Sequence, residues 1–324
     1  MSPRVLLLSS IYDFSVDLVA RRMEIAGVPF VRLNREQFSD LRLSLDPFGP
    51  VLRISGLGLD VVIDDRLSSI WYRCPVFIRN IGAKILSPIE QLERTQWSAF
   101  LRGLMVFDKA RWMNHPADTY FAESKPVQLK LAKEIGFAVP HTLVSNDRDA
   151  IAREFPDTLA IKSMDTAYLR EGDDVLFAYT SIIHSSSLTD AALNKSPVAA
   201  QHLITEKTDI RVTVVDGHVF AYRILVGGHP TEGDWRLHKK ENISYEWIEL
   251  PEVVAERCVA LCRHLKLPFG AIDLALSNGI YFFIEINPTG EWAWLPDADR
   301  TAGAAIVDWL VMPKSSSLAG DGRS

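Results

Sequence analysis

The stretch Phe283-Ile-Glu-Ile-Asn-Pro-Thr-Gly290, together with Gly270-Ala-Ile-Asp-Leu274 just before it, concentrates the residue types best suited to chemistry in this chain. On a β-strand alternate side chains share a face, so Glu285 and Asn287 point one way with Phe283, while Ile284 and Ile286 point the other. A carboxylate beside an amide oxygen is hard-ligand chemistry. It suits Mg²⁺, which keeps some waters and takes further ligands from substrate phosphates. Asp273 on the partner strand completes the set.

Whether Asp273 reaches that face depends on the turn. With a two-residue loop at Asn278-Gly279, Ser277 faces Ile280 and Asp273 faces Ile284, away from Glu285. A three-residue loop, Ser277-Asn278-Gly279 with Gly279 left-handed as a bulge, pairs Leu276 with Ile280 and sets Asp273 opposite Phe283, on the side of Glu285 and Asn287. The metal reading therefore predicts the bulged turn. The bland alternative is a capped hairpin whose acids are merely solvated.

The elements that must hold these residues are legible as patterns. Val5 to Leu8, a helical stretch over Asp17–Ala26 stopped by Gly27, and Val28 to Leu33 read as strand, helix, strand, the start of an α/β unit. A hairpin-like stretch (Leu41 to Leu45, Val51 to Ile54), Ser69 to Arg73 and a long helix from Pro88 to Lys109 follow, and Asn114-His115-Pro116 closes the unit. A smaller α+β lobe begins with the helix opened by Lys125 and stopped by Gly136, then short strands at Pro140–Val144, Thr158–Lys162, Leu176–Thr180 and Ala199–Ile204. Beyond it, Ile210–Val215 and Val219–Leu225 flank Asp216-Gly217, a dipeptide suited to a tight hairpin turn. A helix over Glu252–Lys266 buries Val254, Cys258, Leu261, Cys262 and Leu265 on one stripe, acids at its start and bases at its end. The expected domains are 1–115, 116–205 and 206–312, with a Ser/Gly-rich, disordered tail from 313 to 324.

Composition excludes several classes. The 324 residues suffice for two or three packing units, and 35 Lys and Arg against 41 Asp and Glu give a net charge of −6, without the basic excess of a nucleic-acid binder. No apolar run approaches the roughly 20 residues of a membrane span, and Val5 to Leu8 is too short for a signal-peptide core, so a cytoplasmic location is expected. Three cysteines, Cys74, Cys258 and Cys262, supply neither a disulfide framework nor a four-ligand zinc site.

The order Lys125 at a helix start, Ile161-Lys162 on a strand, Gln201-His-Leu-Ile204, Asp209-Ile-Arg211, Asp273 and Glu285-Ile-Asn287 resembles the ATP-grasp superfamily over roughly residues 116 to 310. Trp71-Tyr-Arg73, Asn114-His115-Pro116, Asp234-Trp-Arg236, Gly270-Ala-Ile-Asp273 and Glu285-Ile-Asn-Pro-Thr-Gly-Glu-Trp292 are similar to motifs of the graspetide synthetases, the microviridin-type peptide ligases. The resemblance implies an α/β and α+β architecture, an N-terminal pre-ATP-grasp α/β domain followed by two lobes that clamp ATP with Mg²⁺. It implies that Lys125 and Lys162 bind phosphates, that Gln201, His202, Leu203 and Ile204 form the hinge receiving adenine, and that Asp209 accepts from ribose hydroxyls. Asp273, Glu285 and Asn287 then hold metal, while Arg211, Arg223 and Arg236 surround the γ-phosphate and the activated carboxylate, their planar forks suiting acyl phosphate. Arg211 and Arg223 share a face if the Asp216-Gly217 turn has three residues. Tyr12, Asp13, Trp71, Arg73, His115 and Trp292 are candidates for the substrate cleft.

The implied activity joins Asp or Glu side chains of a precursor peptide, activated as acyl phosphates, to Ser/Thr hydroxyls or Lys amines. The precursor's leader docks on the central lobe around Tyr168 to Thr180, and a homodimer is expected. Two other readings use the same residues: an ATP-grasp ligase adding an amino acid to a protein or small acid, and a peptide-binding module with a degenerate nucleotide site.

Overall fold

A computed structural model describes residues 3–73, 86–165, 168–171, 174–177, 180–231 and 233–312, which fall into two compact units. Cys74, the tail from Pro313 and parts of the proposed leader-docking segment lie outside the described residues.

One unit comprises residues 1–77, 87–116 and 299–324. Strands β1 (Val5–Ser9) and β2 (Phe30–Asn34) flank helix α1 (Phe14–Ile25), whose N-cap Asp13 accepts from the backbone of Ser15 and Val16. Strands β3 (Arg42–Asp46), β4 (Val51–Gly56) and β5 (Leu59–Ile63) form a three-stranded antiparallel sheet, one strand more than the sequence pattern suggests. After β6 (Ser69–Tyr72), helix α2 runs over Pro88–Gly103, capped by the reciprocal Ser87/Glu90 box, and ends before the expected Lys109 because the chain turns into strand β7 (Arg111–Met113). The parallel sheet has the order β2-β1-β6-β7. Its β1 is buried at every position, as a strand covered on both faces requires.

The other unit comprises residues 78–86 and 117–298. Helix α3 (Pro116–Ala122) leads into α4 (Lys125–Ile135), which ends on left-handed Gly136. Strand β8 (Thr142–Ser145), helix α5 (Arg148–Glu154) and β9 (Thr158–Lys162) precede the paired strands β10 (Tyr168–Glu171) and β11 (Asp174–Phe177). Strand β12 (Ser181–His184), the short α6 (Asp190–Leu193) and β13 (Val198–His202) complete an antiparallel sheet ordered β12-β9-β13-β8. The long strands β14 (Thr208–Val215) and β15 (His218–Val226), then β16 (Ile243–Ile248), helix α7 (Glu252–His264), β17 (Phe269–Ser277) and β18 (Ile280–Asn287) build a five-stranded sheet ordered β16-β15-β14-β17-β18. Its core face buries Ile210, Val212, Val214, Ile272, Phe283 and Ile286 against Val254, Cys258, Leu261 and Cys262 of α7, the stripe expected from the sequence. Burial pushes the Cys258 thiol up to about 12, so it packs as an inert hydrophobe. The final helix α8 (Ala304–Val311) belongs to the first unit.

Two turn expectations are corrected. The Asn278-Gly279 loop has two residues, both with positive φ (50° and 77°), and pairs Ser277 with Ile280. The bulge lies instead within the strand: Leu274 pairs with Phe283, but Asp273 pairs with Glu285, leaving Ile284 as the extra residue. Asp273 therefore meets Glu285 despite the two-residue turn. Phe283 goes to the core and not to the acid face. The Asp216-Gly217 turn is also two-residue, pairing Val215 with His218, so Arg211 faces Tyr222 and Arg223 faces Ile210.

Among the described residues no helix is long and apolar enough to cross a membrane.

Candidate active site

A cavity of about 420 Å³ opens between the four-stranded and five-stranded sheets of the second unit, bringing together every expected nucleotide, metal and arginine residue except Arg223. Of the substrate-cleft candidates, Tyr12, Asp13, Trp71, Arg73 and His115 belong to the first unit, Trp292 is fully buried, and none of the six lines it. Strand ends and helix starts supply them. Lys125 begins α4, Lys162 ends β9, Gln201 and His202 end β13 with Leu203 and Ile204 just beyond, and Asp209 and Arg211 alternate along β14. Asp273 lies on β17, and Glu285 and Asn287 on β18. Arg236 follows Asp234 in a single 3₁₀ turn, where the Asp234 carboxylate accepts from the Arg236 backbone at 3.1 Å. Arg223 is the exception. The in-register turn puts it on the opposite face from Arg211, half exposed, with its nearest acid Glu246 at 3.8 Å.

The bulge is fixed from outside the sheet. Strand β18 is an edge, and its outer backbone groups need partners. The Phe283 N–H donates to the Ala138 carbonyl at 2.8 Å, and the buried Gln128 amide of α4 takes both groups of Ile286, accepting from its N–H at 3.1 Å and donating to its carbonyl at 2.8 Å. Gln128 is not among the residues the sequence motifs mark. Its only signal is a polar residue on the apolar stripe of α4.

Within the cavity each cation is held by an acceptor. Lys125 Nζ lies 2.7 Å from Glu285 Oε2, Lys162 Nζ donates to Gln201 Oε1 at 2.7 Å, and Lys207 Nζ donates to Asp209 Oδ1 at 2.6 Å. Arg211 Nη1 and Arg236 Nη2 donate to the two oxygens of Asp273, at 2.8 and 3.0 Å. Lys207 and Asp234 are functional candidates that the sequence reading did not assign. Lys207 stands two residues before Asp209, the spacing that shares a strand face, and this was the signal available for it.

Electrostatics follow from this packing. Burial pushes the Lys162 ammonium down to about 8, against the pull of Glu285 and with the push of Lys125 and Lys207. For Glu285 burial favours the neutral acid, yet the Lys125 charge and hydrogen bond, with Arg236, hold it well below the usual carboxylate range. Burial raises Asp209 in spite of Lys207. Arg236 is raised against the effect of its own burial by Asp273, Asp234 and Glu285.

The donor set suits a hard divalent cation: Asp273 and Glu285 face each other across β17 and β18, and Asn287 follows on the same strand with its amide 3.3 Å from Glu285. Among the described residues no group of three His, Cys, Asp or Glu side chains forms a metal site alone, so such a cation must complete its shell from elsewhere. Phosphate oxygens fit that need, and the lysines lie beside the acids to receive them.

No family model and no curated protein matches the chain. Solved structures do. A ligase from Chryseobacterium gregarium, described as a RiPP-associated ATP-grasp ligase in complex with ADP and a leader and core peptide, is 22% identical with a TM-score of 0.81, over 98% of this chain and 100% of that one. The macrocyclase MdnC from Microcystis aeruginosa MRC, bound with precursor peptide MdnA, is 22% identical with a TM-score of 0.78, over 96% and 99% of the two chains. The macrocyclase MdnB from the same organism is 26% identical with a TM-score of 0.74, over 95% and 99%. The chain has the ATP-grasp ligase fold over nearly its whole length.

Proposed function

We propose that this protein is an ATP-dependent peptide ligase that activates Asp or Glu side-chain carboxylates of a precursor peptide and joins them to Ser/Thr hydroxyls or Lys amines. One observation carries the reading: a single cavity sets three lysines and two arginines against an acid pair brought face to face by the Ile284 bulge. The Chryseobacterium gregarium ligase is in complex with ADP and a leader and core peptide, MdnC with its precursor peptide, and a further similar ligase, PsnB (20% identical, TM-score 0.72), with a minimal precursor, Mg and ADP, which supports ATP and Mg²⁺ as the cofactors and a peptide with leader and core as the partner.

Each residue then has a task. Lys125 exchanges Glu285, and Lys162 exchanges Gln201, for phosphate oxygens of the nucleotide. Gln201, His202, Leu203 and Ile204 border the base, and Asp209 exchanges Lys207 for ribose hydroxyls. Asp273, Glu285 and Asn287 hold the metal, which supplies charge neutralisation between the phosphates when bound. Arg211 and Arg236 orient the carboxylate and stabilise the negative charge that develops on the transferred phosphoryl group. The phosphoryl group passes from ATP to the carboxylate oxygen. The peptide nucleophile then forms a bond to the acyl carbon as phosphate leaves, and one water's mass is lost per crosslink. The protein mostly positions the partners.

The test is incubation with Mg²⁺, ATP and the leader-bearing, Thr/Ser- and Asp/Glu-rich peptide encoded beside the gene. The expected product is lighter by one water per crosslink, with ADP released. A product heavier by an amino-acid residue indicates the amino-acid ligase instead, and peptide binding without nucleotide turnover indicates a binding module. Size-exclusion chromatography with light scattering reads the expected homodimer.

A further inference from the structure

Asp273 is shared by two arginines, one on each oxygen. Each guanidinium also lies over an indole: Arg211 is 5.7 Å from the Trp294 ring centre, and Arg236 is 4.9 Å from that of Trp235. The two indoles meet at 5.9 Å, and Tyr245 packs on Trp294 at 4.6 Å. The contacts thus close into a ring through Asp273, Arg211, Trp294, Trp235 and Arg236.

The segment bearing Trp294 is tied down on both sides. Arg211 Nη2 donates to the Glu291 carbonyl at 2.7 Å, and the Tyr222 hydroxyl donates to the Pro296 carbonyl at 2.8 Å. Gly290 lets this segment close on β17: a Cβ there would lie 2.4 Å from the Ala271 Cβ, with Arg211 Nη2 at 3.0 Å and the Asn287 Cβ at 3.1 Å. Trp292, two residues before Trp294, is fully buried, whereas Trp294 and Trp235 are only half-buried. Their indoles therefore do something other than fill the core.

Arg211 is held by Asp273 and the Glu291 carbonyl, and Arg236 by Asp273 and, at 3.3 Å, Asp234; an aromatic face over each cation adds a restraint on the tilt of the guanidinium plane that these in-plane bonds leave soft. We propose that Trp235 and Trp294 are positioning residues that lock Arg211 and Arg236 as a preformed oxyanion clamp for the acidic side chain of the peptide. The inference rests on the carboxylate-activating reading above. The clamp acts on the oxygens of the carboxylate and phosphoryl group, not on the nucleoside.

Trp294→Leu and Trp235→Leu each remove the aromatic face from one guanidinium. Three quantities are measured for each: the affinity for Mg-ADP, the affinity of the Mg-ADP-loaded protein for inorganic phosphate, and kcat and KM with the precursor peptide. The expected result is a fall of about tenfold in kcat and in phosphate affinity. Mg-ADP affinity stays within about twofold, because Lys125, Lys162 and Asp209 are untouched. Trp294→Phe restores most of the loss, which a merely packed position does not predict.

Phosphate affinity and kcat equal to wild type in Trp294→Leu overturn the clamp. If wild type binds Mg-ADP but never crosslinks peptide, the functional reading fails while the phosphate titration still reads the clamp. If Mg-ADP does not bind, phosphate alone is titrated with the same two outcomes. Should Trp235→Leu not fold, the Trp294 pair of variants decides.

Discussion

Two hairpins of one sheet start from nearly identical turns and end differently. In β14–β15 the loop is Asp216-Gly217 with φ of 46° and 90°, and in β17–β18 it is Asn278-Gly279 with φ of 50° and 77°. The first ladder runs in register to its end, so Arg223 is carried to the face opposite Arg211. The second slips by one residue at Ile284, so Glu285 arrives on the face of Asp273. A turn sets the parity of a hairpin only until a bulge resets it, and in this sheet the reset falls at the acid that the chemistry needs.

The comparison breaks most visibly at Glu285. Glu285→Gln keeps the shape but removes the charge facing Lys125, and turnover is expected to fall at least about 10³-fold with the fold retained and the melting temperature lowered, measured by ADP release and calorimetry. Next comes Arg211, the arginine that the first hairpin does deliver to the cavity. Arg211→Ala is expected to lower kcat on the order of 100-fold while nucleotide affinity holds, read from steady-state kinetics.

The second hairpin also reaches Lys162 through the charge of Glu285. With its ammonium lowered to about 8, Lys162 is charged below that pH, and a bound triphosphate favours the charged form. Nucleotide affinity is therefore expected to fall as pH rises through about 8 in titration calorimetry. Because Glu285 raises the Lys162 pKa, the fall moves to lower pH in Glu285→Gln. For stability the sign is reversed: between the folded value of about 8 and the ordinary 10.5 the unfolded chain binds more protons, so this group adds stability as pH rises through that window.

Smaller effects test the equivalence of the turns. At Gly217 and Gly279 an added Cβ meets nothing within 4 Å, so Gly→Ala costs only the left-handed backbone. Each is expected to lose about 1 kcal/mol in denaturant unfolding. Unequal losses would mean that the turns differ and that the bulge is not the whole distinction. Arg223→Ala is expected to change least, within about 0.5 kcal/mol and with activity intact, since its ion pair is exposed.

Much of this was legible in the sequence, because local rules govern it. Alternation placed Glu285 and Asn287 together, the helical stripe named Cys258 and Cys262 as core, and Asp-Gly and Asn-Gly marked both turns. What sequence reasoning missed depends on contacts between distant segments. The bulge at Ile284 is held by Ala138 and Gln128, more than a hundred residues earlier, so no reading of the hairpin alone finds it. Arg223 joins Arg211 only across a three-residue turn, and the two-residue turn that forms sends it to the other face. Lys207 lay beside a recognised motif, but only the folded cavity shows it pointing in.

Gln128 grips both backbone groups of Ile286 from the same helix that begins with Lys125, one turn away. The first residue of that helix and the acid one position before Ile286 are thereby machined into one jig. An arriving phosphate must separate Lys125 from Glu285 by turning their side chains, a motion of single bonds instead of whole segments.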